Sequence, residues 1–155
     1  PRVPLRVGDD AVDGSWRSFM SWRLSPRAGA TLERANLRLN VREVVGDPFA
    51  TLGLLFIERI DMGPGLDAAD WSAPAIATAT GLSELPLGDI ELDVTTLVAD
   101  ALARGATRLD IRLRFGVSSV SDDLASQVRI TSFAIAADPP TLPPTLGLQW
   151  RRGTN

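Results

Sequence analysis

The sequence predicts an all-β fold, with about eight antiparallel strands and one short helix. Three observations carry this: apolar and polar residues alternate with period two in run after run, turn-forming residues separate the runs, and a single stretch changes to a helical period. In the 155 residues the opening strand is short, Val3–Val7. Ser15–Leu24 places Trp16, Met20, Trp22 and Leu24 on one side and Arg17, Phe19 and Arg23 on the other. Ala35, Leu37, Leu39 and Val41 alternate with Asn36, Arg38 and Asn40. Leu52–Met62 is apolar on both faces before Glu58, as is expected of a central or covered strand. Ile90, Leu92 and Val94 alternate with Asp89, Glu91 and Asp93, and Leu109–Val117 alternates throughout. Val128–Ala137 and Leu146–Trp150 complete the set. Each alternating run reads as a strand with one buried and one solvated face.

The helix falls at residues 94–104. Val94, Leu97, Val98, Ala101 and Leu102 recur at steps of three and four, Asp93 stands at the N-cap, and Gly105 stands where a C′ glycine ends a helix. Gly46-Asp47-Pro48 marks a turn. Gly63 to Pro86 is a long connection, of the kind that folds over a core edge or carries function. Pro139, Pro140, Pro143 and Pro144 form a stiff approach to the last strand. Residues 1–155 read as one module, large enough to bury roughly 68–70% of its unfolded surface. A start at Pro1 suggests a piece of a longer protein.

Composition excludes much chemistry. Cys, His and Tyr are absent, and all 16 basic residues are Arg. Disulfides, thiol nucleophiles, Ser-His-Asp triads, His-ligated zinc and lysine Schiff bases are therefore out. The remaining catalytic route is a pair of carboxylates for glycoside hydrolysis; Glu43, Glu58, Glu84 and Glu91 are available but sit in no recognisable motif. The expectation is a chain that is not an enzyme. A net charge of −3 and a pI near 4.9 disfavour nucleic acid. No run of 18 apolar residues suggests membrane insertion.

The order of the motifs resembles the DNRLRE-type jelly-roll modules, also described as a carbohydrate-binding module family. The resemblance rests on Leu5-Arg6-Val7-Gly8-Asp9-Asp10, on Trp16-Arg17-Ser18-Phe19-Met20-Ser21-Trp22-Arg23-Leu24-Ser25, and on Ala30-Thr31-Leu32-Glu33-Arg34-Ala35-Asn36-Leu37-Arg38-Leu39. Further along it rests on Asp70-Trp71, on Leu92-Asp93-Val94-Thr95-Thr96-Leu97-Val98, and on Pro144-Thr145-Leu146-Gly147-Leu148-Gln149-Trp150. It extends from about Leu5 to Trp150. Trp22-Arg23 stands where the family often has Phe-Asp, and Trp150 replaces the usual Tyr. The resemblance implies a two-sheet antiparallel β-sandwich of jelly-roll type. It also implies a non-catalytic extracellular or cell-surface accessory module that binds polysaccharide, some relatives favouring acidic glycans. The alternative is a structural spacer, adhesin or filament subunit contacting neighbouring domains or chains.

Candidate ligand residues follow from the strand faces. Arg38 and Arg42 share one face of one strand, and Arg108, Arg112 and Arg114 share one face of another. Were the two strands neighbours, their guanidiniums would line a surface suited to uronate carboxylates; the alternative is a solvated face of cross-strand ion pairs. Trp16, Trp22 and Trp150 fall in phase with core positions. Trp71, in the long loop, is either a plug on the core edge or a stacking platform for a sugar ring. Asp9, Asp10, Asp13, Asp122 and Asp123 cluster in two loops, where they serve either as turn formers or as ligands of a structural calcium.

Overall fold

The computed structural model describes residues 5–24, 31–120, 122–138 and 146–152, with only the backbone path for 132–138 and 146–152. The strands are β1 (Leu5–Asp9), β2 (Ser15–Arg23), β3 (Arg34–Val45), β4 (Leu55–Ile60), β5 (Ala77–Thr78), β6 (Gly88–Asp93), β7 (Arg108–Phe115), β8 (Ser126–Asp138) and β9 (Leu146–Arg152). A single helical turn α1 (Pro48–Thr51) follows β3, a 3-10 turn spans Ala69–Trp71, and α2 (Thr95–Ala103) separates β6 from β7. The all-β class holds. The polyproline approach to β9, and Val3 of the opening strand, lie outside the described residues.

Among the described residues the strands pair antiparallel and join into one sheet in the order β5-β4-β7-β2-β1-β8-β3-β6, with β9 also paired to β2. β9 runs beside Trp16–Trp22 and β7 beside Ser18–Arg23, so these two occupy the edges of β2 for most of its length. Among the described residues β1 meets β2 only at Gly8↔Trp16 and Asp9↔Ser15. The expected pair of layers is thus a single continuous sheet. It is sandwich-like because it curls at this short joint.

One core cluster draws on both sides of the joint. Leu5 and Val7 of β1, Leu37 and Leu39 of β3, and Val128 and Ile130 of β8 join Met20 and Trp22 of β2, Leu55 and Ile57 of β4, and Leu109, Ile111 and Leu113 of β7. Full burial of each such side chain stabilises by about 1.5–3 kcal/mol. α2 covers this core with Leu97, Val98 and Ala101, the face that its helical period marks. The helix starts one residue later than expected, with Val94 at the N-cap, yet Asp93 still accepts the Thr95 N–H at 2.8 Å. Trp22 is buried as predicted, whereas Trp16 is only half-buried: its Nε1 donates to Asp10 Oδ2 at 3.1 Å and the Arg6 guanidinium lies 5.0 Å from its ring. A polar indole edge needs a hydrogen-bond acceptor, and the first loop provides one at the rim.

A smaller apolar cluster forms on the outer face of β2 and β4. Phe19, Ile60 and Met62 are covered there by Leu66, Trp71 and Ala73 of the long connection. This explains why β4 is apolar on both faces.

Candidate functional site

The outer face of β7 carries Arg108, Asp110, Arg112 and Arg114 by simple alternation. Strand pairing then decides what they meet. Glu58 of β4 lies opposite Arg112, and Ser21 of β2 lies opposite Asp110. The Glu58 carboxylate, 3% exposed, receives Arg112 through Nε at 2.9 Å and Nη2 at 2.7 Å, and Arg114 through Nε at 2.9 Å and Nη2 at 2.7 Å. Arg112, itself 4% exposed, donates from Nη1 to the Asp70 and Trp71 carbonyls, both at 3.0 Å.

Arg17 of β2 completes the group. Its guanidinium stacks 4.4 Å from the Trp71 ring centroid, donates to the Trp71 carbonyl, and reaches Ser118 Oγ at 3.2 Å. Two guanidiniums thus share the Glu58 carboxylate, and a third lies close by without a direct bond to it. The Asp70 carboxylate turns to its own loop, accepting the Asp67 N–H at 2.7 Å. Burial, then the like charges of Arg112 and Arg114, push Arg17 down to about 10. Burial alone would raise Glu58; the hydrogen bonds and charges of Arg114 and Arg112 outweigh it and hold the carboxyl below its ordinary value. Arg17 and Arg114 border a crevice of about 10 Å³ beside Gly8, Ser15 and Ser118. That is room for one water or one carboxylate oxygen.

Arg108 sits at the other end of the same strand face. It donates to Ser21 Oγ at 2.8 Å and to the Gly63 carbonyl at 2.9 Å, and lies 3.2 Å from Asp110. Arg108, Arg112 and Arg17 together hold the segment from Gly63 to Trp71 by its carbonyls, as a strap across the sheet. Trp71 is thus a plug over Phe19 and Ile60 and a surface for Arg17 at once.

Arg38 and Arg42 do not join this face. β3 pairs with β6 and β8, and β7 pairs with β2 and β4, so the two arginine rows lie on opposite sides of the curled sheet. The condition for a shared surface, that the two strands be neighbours, is not met, and the alternative of cross-strand ion pairs describes the β3 face. Arg38, 58% exposed, pairs with Glu91, 47% exposed, at 2.7 Å. Asn40 bonds Asp89 and Arg129 bonds Glu43, so the β3 face is a solvated ladder of its own pairs. Arg42 is exposed beside the irregular register between Val41 and Glu43.

The five loop aspartates lie at turns and at a strand junction. Asp9 is fully buried and accepts the Ser126 N–H at 2.9 Å and the Val120 N–H at 3.2 Å, clamping β1 to the loop before β8. Asp10 accepts the Gly14 and Val12 N–H groups, and Asp122 accepts that of Leu124. Asp13 and Asp123 take the left-handed turn conformation, with φ near +59° and +57°. Among the described residues no three carboxylates gather to hold a cation.

Sequence reasoning missed Arg17 and Glu58 as members of the site. Both were visible on strand faces, Arg17 beside Phe19 and Glu58 at the end of an apolar run, but their strand neighbours were not. Comparison with known proteins adds no name: no family model, curated protein or solved structure matches the chain.

Proposed function

We propose that the chain is a non-catalytic accessory module that binds an acidic polysaccharide at the crevice between Arg17 and Arg114. One observation carries this reading: Arg112 and Arg114 take up the Glu58 carboxylate between them, and beside them the partly buried guanidinium of Arg17 has, among the described residues, only the Trp71 ring, a carbonyl and a hydroxyl as partners. Buried charge calls for a counter-charge, and planar guanidiniums take carboxylates in paired hydrogen bonds. A uronate carboxylate supplies both the charge and the geometry. The reading keeps the secreted or cell-surface setting that the family resemblance implies. It leaves hydrolysis aside because Glu43, Glu58 and Glu91 are each ion-paired, and Glu58 is held too acidic to act as a proton donor near neutral pH.

Affinity electrophoresis and calorimetry on alginate, polygalacturonate and neutral cellulose oligomers test it. Alginate or polygalacturonate is expected to bind, and Arg17→Ala or Arg114→Ala to weaken that binding about tenfold, the worth of one charge-assisted hydrogen bond. Arg38→Ala is expected to leave it unchanged. No acidic ligand, or one indifferent to Arg17→Ala, rejects the reading.

A second reading is favoured by the self-paired β3 face and by the deep burial of Arg112. Surfaces closed by their own ion pairs suit a spacer or filament subunit, in which shape matters more than a ligand. Concentration-dependent polymers in sedimentation experiments would support it.

A further inference from the structure

Beyond the cationic crevice, a separate hollow opens at the end of β4 and the start of β7. Its volume is about 240 Å³, and Arg59, Asp61, Arg108 and Asp110 line it together with Ile60 and Ile76. We propose that this hollow is a binding subsite for one neutral polyhydroxylated ring, a sugar unit or a cyclitol.

Charge balance separates it from the Arg17 crevice. Arg108 lies 3.2 Å from Asp110, and Arg59 is ion-paired with Asp100 of α2. Asp61 adds a further negative charge on the rim. The guanidiniums here are already matched, so an incoming anion has no excess cation to meet. What the walls offer instead is donors and acceptors side by side. A ring hydroxyl donates and accepts at once, and adjacent hydroxyls fit a carboxylate next to a guanidinium. Ile76, 39% exposed, and the half-buried Ala106 give the lining an apolar part against which C–H faces pack. The volume falls below the roughly 300–1,000 Å³ of sites for drug-sized molecules, which limits the occupant to about one ring.

The walls are also firm. Arg108 is fixed by Ser21 Oγ and the Gly63 carbonyl, and the Ala106 N–H is bonded to the Ala101 carbonyl at the end of α2. Preset walls lower the ordering cost of binding. Arg108 and Arg114 are six residues apart on β7, roughly 20 Å at 3.3 Å per residue, so the two sites are tested independently.

The experiment is saturation-transfer NMR on the full chain with methyl glycosides of neutral hexoses and with myo-inositol. At least one probe is expected to receive magnetisation. Ala106→Phe, which fills the hollow, is expected to abolish the transfer, Asp61→Ala to weaken affinity about tenfold, and Arg17→Ala to change nothing. Amide spectra of each variant establish folding; should Ala106→Phe not fold, an unchanged affinity in Asp61→Ala overturns the proposal. It is equally overturned by no transfer from any neutral probe, by transfer that survives Ala106→Phe in a folded variant, or by stronger binding of galacturonate than of galactose in this hollow. Loss of acidic-glycan binding in Arg17→Ala with hexose binding intact shows the two sites to be distinct.

Discussion

Glu58 is the residue on which the candidate site turns. Removing one member of a buried ion pair leaves charge without compensation, at a cost of about 3–5 kcal/mol. Glu58→Gln leaves three crowded guanidiniums, and its urea midpoint is expected to fall accordingly. The pH dependence has a definite sign. Glu58 titrates lower in the fold than in the unfolded chain, where a Glu carboxyl titrates near about 4.3. Its contribution is therefore complete above that pH and is lost as pH falls through the folded value. Urea midpoints between pH 7 and pH 3 should decline in the native chain and decline less in Glu58→Gln. At this scale the sequence was half readable. Arg112 and Arg114 share a face by alternation, and Trp71 stood out by its place in a long connection. Glu58 and Arg17 belong to other strands, and alternation names a residue's face, never its cross-strand neighbour. The same limit left open whether Arg38 and Arg42 meet the β7 arginines, which the pairing of β3 with β6 and β8 answers.

Among the elements, β1 depends on a glycine. Gly8 has φ of +128°, and a Cβ there would lie 2.1 Å from the Ser126 carbonyl oxygen, inside the β1–β8 ladder. Neither backbone can yield without breaking the pairing. Gly53 also has positive φ, at +79°, but a Cβ there meets nothing within 4 Å. Gly53→Ala is expected to cost about 1–2 kcal/mol, the left-handed penalty alone. Gly8→Ala is expected to cost more than that or to prevent folding, as equilibrium denaturation of the two variants would show. Strand and helix existence were plain from periodicity, and so was the stop of α2 before Gly105. The short elements were not. α1 is one turn that Asp47 caps through the Ala50 N–H, and β5 is two residues long. Neither is long enough to show a period.

For the whole molecule, the pairings of β1 with β8, β2 with β7 and β3 with β8 join segments far apart in the chain. Closing such loops precedes the contacts that reward it, and folds of this kind complete their main phase in about milliseconds to seconds. Stopped-flow tryptophan fluorescence should place refolding in that range; a main phase of microseconds would contradict the topology. The curled sheet itself could not be read from the pattern, because periodicity marks faces but not where a sheet bends. The strap has one further consequence. Its fasteners all lie on the sheet, since no basic residue occurs between Arg59 and Arg104. An acid that engaged Arg17 as proposed would draw a donor from the Trp71 carbonyl and a cation from its indole. On the proposed reading, occupancy of the crevice is expected to change tryptophan emission, which a fluorescence titration with polygalacturonate would detect.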